Sequence, residues 1–91
     1  MEITAVKIRK IENGGNLRAV AEVTFDSELT VKDVRLIDGQ NGWFAAMPSR
    51  KGSDGKFRDV VYVHDRAAQD LISDAVIEAY EKSSANQEVD E

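Results

Sequence analysis

The tetrapeptide Asn13-Gly14-Gly15-Asn16 lies between two segments rich in Ile, Val, Ala and Phe, residues 2–11 and 17–25, and it constrains the fold more than any other feature of the chain. Asparagine and glycine adopt positive φ at little cost, as a tight turn between antiparallel strands requires, so a hairpin is expected. With Gly14 and Gly15 as the central turn residues, Ile8 falls opposite Ala21 and Val6 opposite Val23. Leu17, Ala19, Ala21, Val23 and Phe25 then share one apolar face, because side chains alternate along a strand. The other face gathers Lys7, Arg9 and Arg18 around Glu22, with Val20 among them, and is suited to water or to a partner. Cross-strand pairing with Glu22 accounts for these three cations as well as ligand contact does. Lys10 falls on the opposite face, near the turn.

A second turn at Asp26-Ser27-Glu28 leads into Leu29 to Ile37, where Val34 and Leu36 alternate with Lys32, Asp33 and Arg35. That alternation predicts a third strand, ended by Asp38-Gly39. Trp43 to Met47 is too short and apolar to alternate and reads as a buried fourth strand, and Phe57 to Val63 reads as a fifth. From Asp65 the period changes. Ala68, Leu71, Ile72, Ala75, Val76 and Ala79 recur at spacings of three and four, which predicts an amphipathic helix with Asp65 as its N-cap and Glu78, Glu81 and Lys82 on its wet side. The fold class is therefore α+β: a bent antiparallel sheet, a meander of about five strands, with one C-terminal helix. Residues 1–82 form the expected single domain, and 83–91 an acidic, disordered tail.

A chain of 91 residues has room for one such domain. It buries only about 60–65% of the surface that its unfolded form exposes, so a homodimer is expected as a way of adding buried apolar area. No cysteine is present, which excludes disulfides, thiolate catalysis and cysteine-rich zinc sites. His64 is the only histidine and has no second ligand of its kind to make a zinc site, so neither metal nor cofactor is expected. No apolar run reaches the roughly 20 residues of a membrane-spanning helix and no basic leader precedes one, so the expectation is a cytoplasmic protein.

The run from Asp38 to Asp59 carries the strongest functional signal. Pro48 stops the apolar strand, and Ser49, Arg50, Lys51, Lys56 and Arg58 follow on one connection, with Asp54 the only acid between Arg50 and Arg58. The whole chain has a net charge of −5, which argues against nucleic acid, but Glu88, Asp90 and Glu91 lie in the last four residues and leave −2 over residues 1–87. Charge asymmetry therefore matters more than the total. Arg50, Lys51, Lys56 and Arg58 are candidates for phosphate contact, Arg50 first because a guanidinium grips a phosphate bidentately. A solvated loop is the alternative. Trp43 and Phe44 are candidates for base stacking or, more in keeping with an apolar strand, for core or subunit interface. Asp33, Asp38, Asp54 and Asp59 adjoin turns or arginines, where aspartate commonly satisfies backbone or guanidinium groups, and they make no recognisable acid–base pair. Gly39, Gly42, Gly52 and Gly55 form no nucleotide-binding loop.

Asp38-Gly39, Asn41-Gly42, Phe44 to Lys51, and Asp54-Gly55 followed by Phe57-Arg58-Asp59 together resemble the bacterial SpoVG family, named for stage V sporulation and described as septation regulators. The likeness extends from Met1-to-Arg9 through Ser73-Asp74-Ala75-Val76 and Tyr80. It implies a small cytoplasmic dimer, not an enzyme, that binds DNA or RNA as a pleiotropic regulator of septation and sporulation. Arg50-Lys51 match the family's basic pair. Relatives also carry basic residues at the positions of Gln69 and Leu71, and a His-Pro pair where this chain has Tyr62-Val63. A different class of function, a protein-interaction adaptor working through the apolar strand and acidic tail, stays open beside this one.

Overall fold

In the computed structural model, which describes residues 2–83, three hairpin connections carry the chain through a four-stranded antiparallel sheet of order β1-β2-β3-β4. The strands are β1 (Ile3–Lys10), β2 (Leu17–Phe25), β3 (Leu29–Gly39) and β4 (Gly42–Ala46). A two-stranded ribbon of β5 (Ser49–Lys51) and β6 (Phe57–Asp59) follows, and then helix α1 (Arg66–Lys82). The domain is α+β, as the periodicities predict.

The first hairpin has the expected register, with Ile8 opposite Ala21 and Val6 opposite Val23. Its turn differs. Positive φ falls on Asn13 and Gly15, and Leu17 N–H donates to the Gly14 carbonyl, so a wider loop replaces the two-residue turn. Gly14 is needed for space, since a Cβ there would lie 2.7 Å from the Leu17 carbonyl oxygen. A symmetric loop of either width leaves the strands in the same register, which is why the pairing was legible and the turn was not.

Alternation puts Val6, Ile8, Ala19, Ala21, Val23, Phe25, Val34, Leu36 and Ala45 on one buried face. The helix covers it with Ile72, Val76 and Ala79; full burial of a side chain such as Ile72 or Val76 contributes roughly 1.5–3 kcal/mol. The sheet bends where register slips. Leu17 pairs with Ile37 but Ala19 with Leu36, so Arg18 is an extra residue in β2; in β3 Lys32 and Asp33 together stand opposite Glu22, an excess of one, and Asp33 takes φ 62. Such bulges sharpen local twist and turn a side chain away from its alternating place.

Four expectations need correction. The fifth strand is only Phe57–Asp59, and it pairs with Ser49–Lys51 in a sheet of its own instead of extending the meander, while residues 60–63 run on without strand pairing. The fourth strand is buried on one side only: Ala45 is in the core but Phe44 is 43% exposed. The buried stripe of the helix is rotated, taking in Ser73 and leaving Leu71 52% exposed. Asp65 does cap the helix, accepting from Ala67 N–H at 3.3 Å. At the other end Ser83, assigned by the sequence to a disordered tail, is a buried C-cap whose N–H donates to Ala79 and Tyr80 carbonyls; the rest of that tail lies outside the described residues.

Candidate nucleic-acid interface

Pro48 ends the main sheet because it offers no N–H to a further ladder, and the chain leaves β4 to form the ribbon. Ser49 pairs with Asp59, Arg50 with Arg58 and Lys51 with Phe57. The ribbon approaches no other described strand or helix closely, so it stands clear of the domain. Two arginines directly opposite each other would repel, and the turn removes that repulsion. Asp54 accepts both Arg58 Nη1 (3.1 Å) and Nη2 (2.6 Å), and also the Lys56 N–H (3.0 Å). Paired first with the guanidinium and then with that N–H, the Asp54 carboxyl is held below the usual aspartate range, and Arg58 is held above its own. Gly52 permits this closure, because a Cβ would lie 2.7 Å from Arg58 Nη1.

The four predicted loop cations thus divide. Arg58 serves the turn, and its charge is largely answered by Asp54. Arg50, Lys51 and Lys56 are exposed and have no acid partner among the described residues. Three cations on a narrow projecting ribbon can approach phosphates without dehydrating a groove.

The predicted trio on the outer sheet face also divides. Lys7 lies across from Glu22 and Arg9 across from Val20, as the register requires. Arg18, displaced by its bulge, instead meets Asp38 Oδ2 at 2.9 Å and lies over the Trp43 ring, 5.7 Å from its centroid. Trp43 in turn packs edge-on against Tyr80 of the helix at 5.2 Å, and Lys10 Nζ covers Tyr80 from 4.5 Å while donating to the Ser83 carbonyl. Trp43 therefore has an intramolecular role, holding the end of the helix on the sheet. Phe44 faces the other way, paired with Ile37 on the uncovered side.

Sequence reasoning passed over Arg35, which lies in one cross-strand row with Arg9, Val20 and Ala46 on that same outer side. The signal was present, since Val34-Arg35-Leu36 alternates around a buried pair. Among the described residues no cluster of His, Cys, Asp or Glu could hold a metal ion, and no helix is long and apolar enough to cross a membrane.

The SpoVG family model matches residues 1–82, from the first strand to the last residue of the helix. The chain belongs to the SpoVG family. Over 88 residues it is 46% identical to the "Putative septation protein SpoVG" of Clostridium acetobutylicum, covering 97% of this chain and 93% of that one. A protein of the same name from Clostridium beijerinckii is 44% identical over 90 residues, with 99% of each chain covered. Its counterpart in Caldicellulosiruptor bescii is 47% identical over 81 residues, covering 89% and 92%.

Within this SpoVG fold the helix start has a definite structural task. β4 is an edge strand, and the outward N–H and C=O of Ala45 would lack partners there. Ser73 Oγ accepts the N–H at 3.0 Å, and Gln69 Nε2 donates to the C=O at 2.7 Å and to Ser73 Oγ at 3.1 Å. Gln69, at a position the resemblance associates with basic residues, is thus committed to the sheet edge, and Leu71 points to solvent without charge.

Proposed function

We propose that this chain is a non-enzymatic, septation-linked regulatory protein that binds nucleic acid, DNA or RNA, through the β5–β6 ribbon, and that it does so as a cytoplasmic homodimer. The observation that carries the reading is the projecting ribbon, on which Arg50, Lys51 and Lys56 have no acid partners while Asp54 and Arg58 fix the turn. A two-stranded ribbon is narrow enough to enter a major groove or follow a single strand. Each ribbon carries too few charges to bind tightly alone. Two joined rigidly by a dimer would gain from high effective concentration and from roughly doubled counterion release. The name shared by the relatives, a septation protein, supplies the cellular setting.

The test is fluorescence anisotropy of the nuclease-treated protein with DNA and RNA pools at several salt concentrations. Arg50→Ala with Lys51→Ala is expected to weaken binding and to reduce the slope of log K against log salt by about two, one for each lost phosphate contact. An unchanged slope would sink the ribbon assignment. A second reading, an adaptor that docks proteins, is favoured by the exposed apolar residues Leu29, Phe57, Val60 and Tyr62. Protein partners that survive nuclease treatment in a pull-down would favour it.

A further inference from the structure

The sheet has one covered face and one open face, and the open face is not uniformly polar. Along β1 to β4, Arg9, Val20, Arg35 and Ala46 form a single row of cross-strand partners. In the adjoining row Ile37 pairs with Phe44. The Phe44 ring leans over Gly39, where an added Cβ would lie 2.9 Å from Cε1, and so lies low along the sheet with 43% of the residue exposed. Ile37 and Ala46 beside it, and Val20 further along the row, are half-buried apolar residues of the same face. Arg9 and Arg35 have no acid partner among the described residues; Arg35 makes only a long contact of 3.4 Å to Ser49 Oγ at the root of the ribbon. Glu22 and Asp33 lie by Lys7 and Arg9 toward β1, while on the β4 side Asp59 and Asp70 line a cleft with Arg35 and Phe44, Asp70 being paired there with Arg66.

These features select one kind of occupant. Unpaired guanidinium groups beside apolar side chains call for a ligand that is both anionic and planar. Duplex nucleic acid is excluded by width, since four strands spaced about 4.8 Å apart, with their side chains, exceed a major groove of roughly 12 Å. Unpaired bases can lie flat on an aromatic ring while their phosphates meet cations beside it, as on other four-stranded sheets that bind single strands. We propose that the open face of this sheet binds single-stranded nucleic acid, with a base stacked on Phe44 and the backbone neutralised by Arg35 and Arg9. This rests on the nucleic-acid reading above and extends it, because Arg35 touches Ser49 and so joins the platform to the basic ribbon.

The experiment compares labelled 12-nucleotide single strands, RNA and DNA, with a duplex of equal length, using the full nuclease-treated chain. Phe44→Ala is expected to weaken single-strand binding by about tenfold, with duplex binding and the salt slope unchanged, since stacking releases no counterions. Arg9→Ala with Arg35→Ala is expected to flatten the slope. Phe44→Trp should keep the affinity and gain fluorescence that the oligonucleotide quenches; if Phe44→Ala melts early, this variant decides. Wild-type affinity in Phe44→Ala, no quenching in Phe44→Trp, or a fall in solution mass on losing Phe44 would overturn the proposal, the last by making the face a contact between copies. Wild-type protein that binds no nucleic acid at all would overturn the earlier reading and this one together. Binding that depends on Arg50 and Lys51 but not on Phe44 would overturn only this one.

Discussion

Asp54 shows how one exposed carboxylate can organise a projecting loop without stabilising the fold. It joins the Lys56 N–H to the Arg58 guanidinium at the tip of a ribbon that touches little else, so its loss should loosen the ribbon and leave the core intact. Its folded-state pKa lies below its unfolded value, held down first by Arg58 and next by Lys56 N–H. The ordering it provides is therefore complete above the unfolded value and is lost as pH falls through the folded one. Arg58 is shifted upward, so its side of the pairing is lost only as pH rises through its folded value, beyond the ordinary arginine range. A carbon-detected NMR titration should place the Asp54 midpoint below the usual aspartate value of about 3.9, with the Lys56 amide signal following it. Arg58→Ala should move that midpoint back up. A wild-type midpoint at or above the usual value would mean that the pairing does not persist in solution.

At the scale of elements, the contact between helix and sheet is partly a hydrogen-bonding device. Ser73 and Gln69 satisfy the outward groups of Ala45 at the sheet edge, and both side chains act on the same few atoms. Ser73→Ala should cost about 1–3 kcal/mol in urea unfolding, because it leaves a buried N–H without an acceptor. Ser73→Ala combined with Gln69→Ala should cost less than the sum of the two, since each single change already disrupts the shared network. Strict additivity would mean that the bonds act separately. This device was hidden in the sequence, because a serine and a glutamine four residues apart read as ordinary helix surface. By contrast, the β1–β2 register, the core positions of β2 and β3 and the Asp65 cap were legible, each resting on a local period or a single capping residue. Arg18 was misplaced because a bulge obeys no period, and the ribbon was missed, β5 being read as loop and β6 as part of a longer meander strand, because strands of three residues show no alternation. Its cations were visible as composition, but the withdrawal of Arg58 into the turn depends on side-chain geometry that composition does not contain.

For the whole molecule, the distribution of apolar surface bears on the proposed dimer. The helix and main sheet close one core, yet an apolar cleft of about 300 Å³ remains where Val23, Phe25, Val31 and Ile72 meet residues 61–65. Leu29 and Tyr62 line it at 57% and 65% exposed, and Val60 and Phe57 continue the apolar surface toward the ribbon at 60% and 69%. For a domain of this size such exposure is costly, whereas a second copy burying roughly 800 Å² per partner would remove it from water. Association that completes the hydrophobic surface ties folding to assembly, and the melting temperature then depends on concentration by mass action. Calorimetry over a hundredfold range of protein concentration should show the midpoint rising by several degrees, and Tyr62→Ser should lower the solution mass toward the monomer and abolish that rise. A wild-type midpoint independent of concentration, with a monomeric mass throughout, would remove the dimer and with it the doubling of the ribbons. The proposed nucleic-acid binding would then draw on the cations of one copy alone, and the joined-ribbon account of affinity would fail at the scale of the whole molecule.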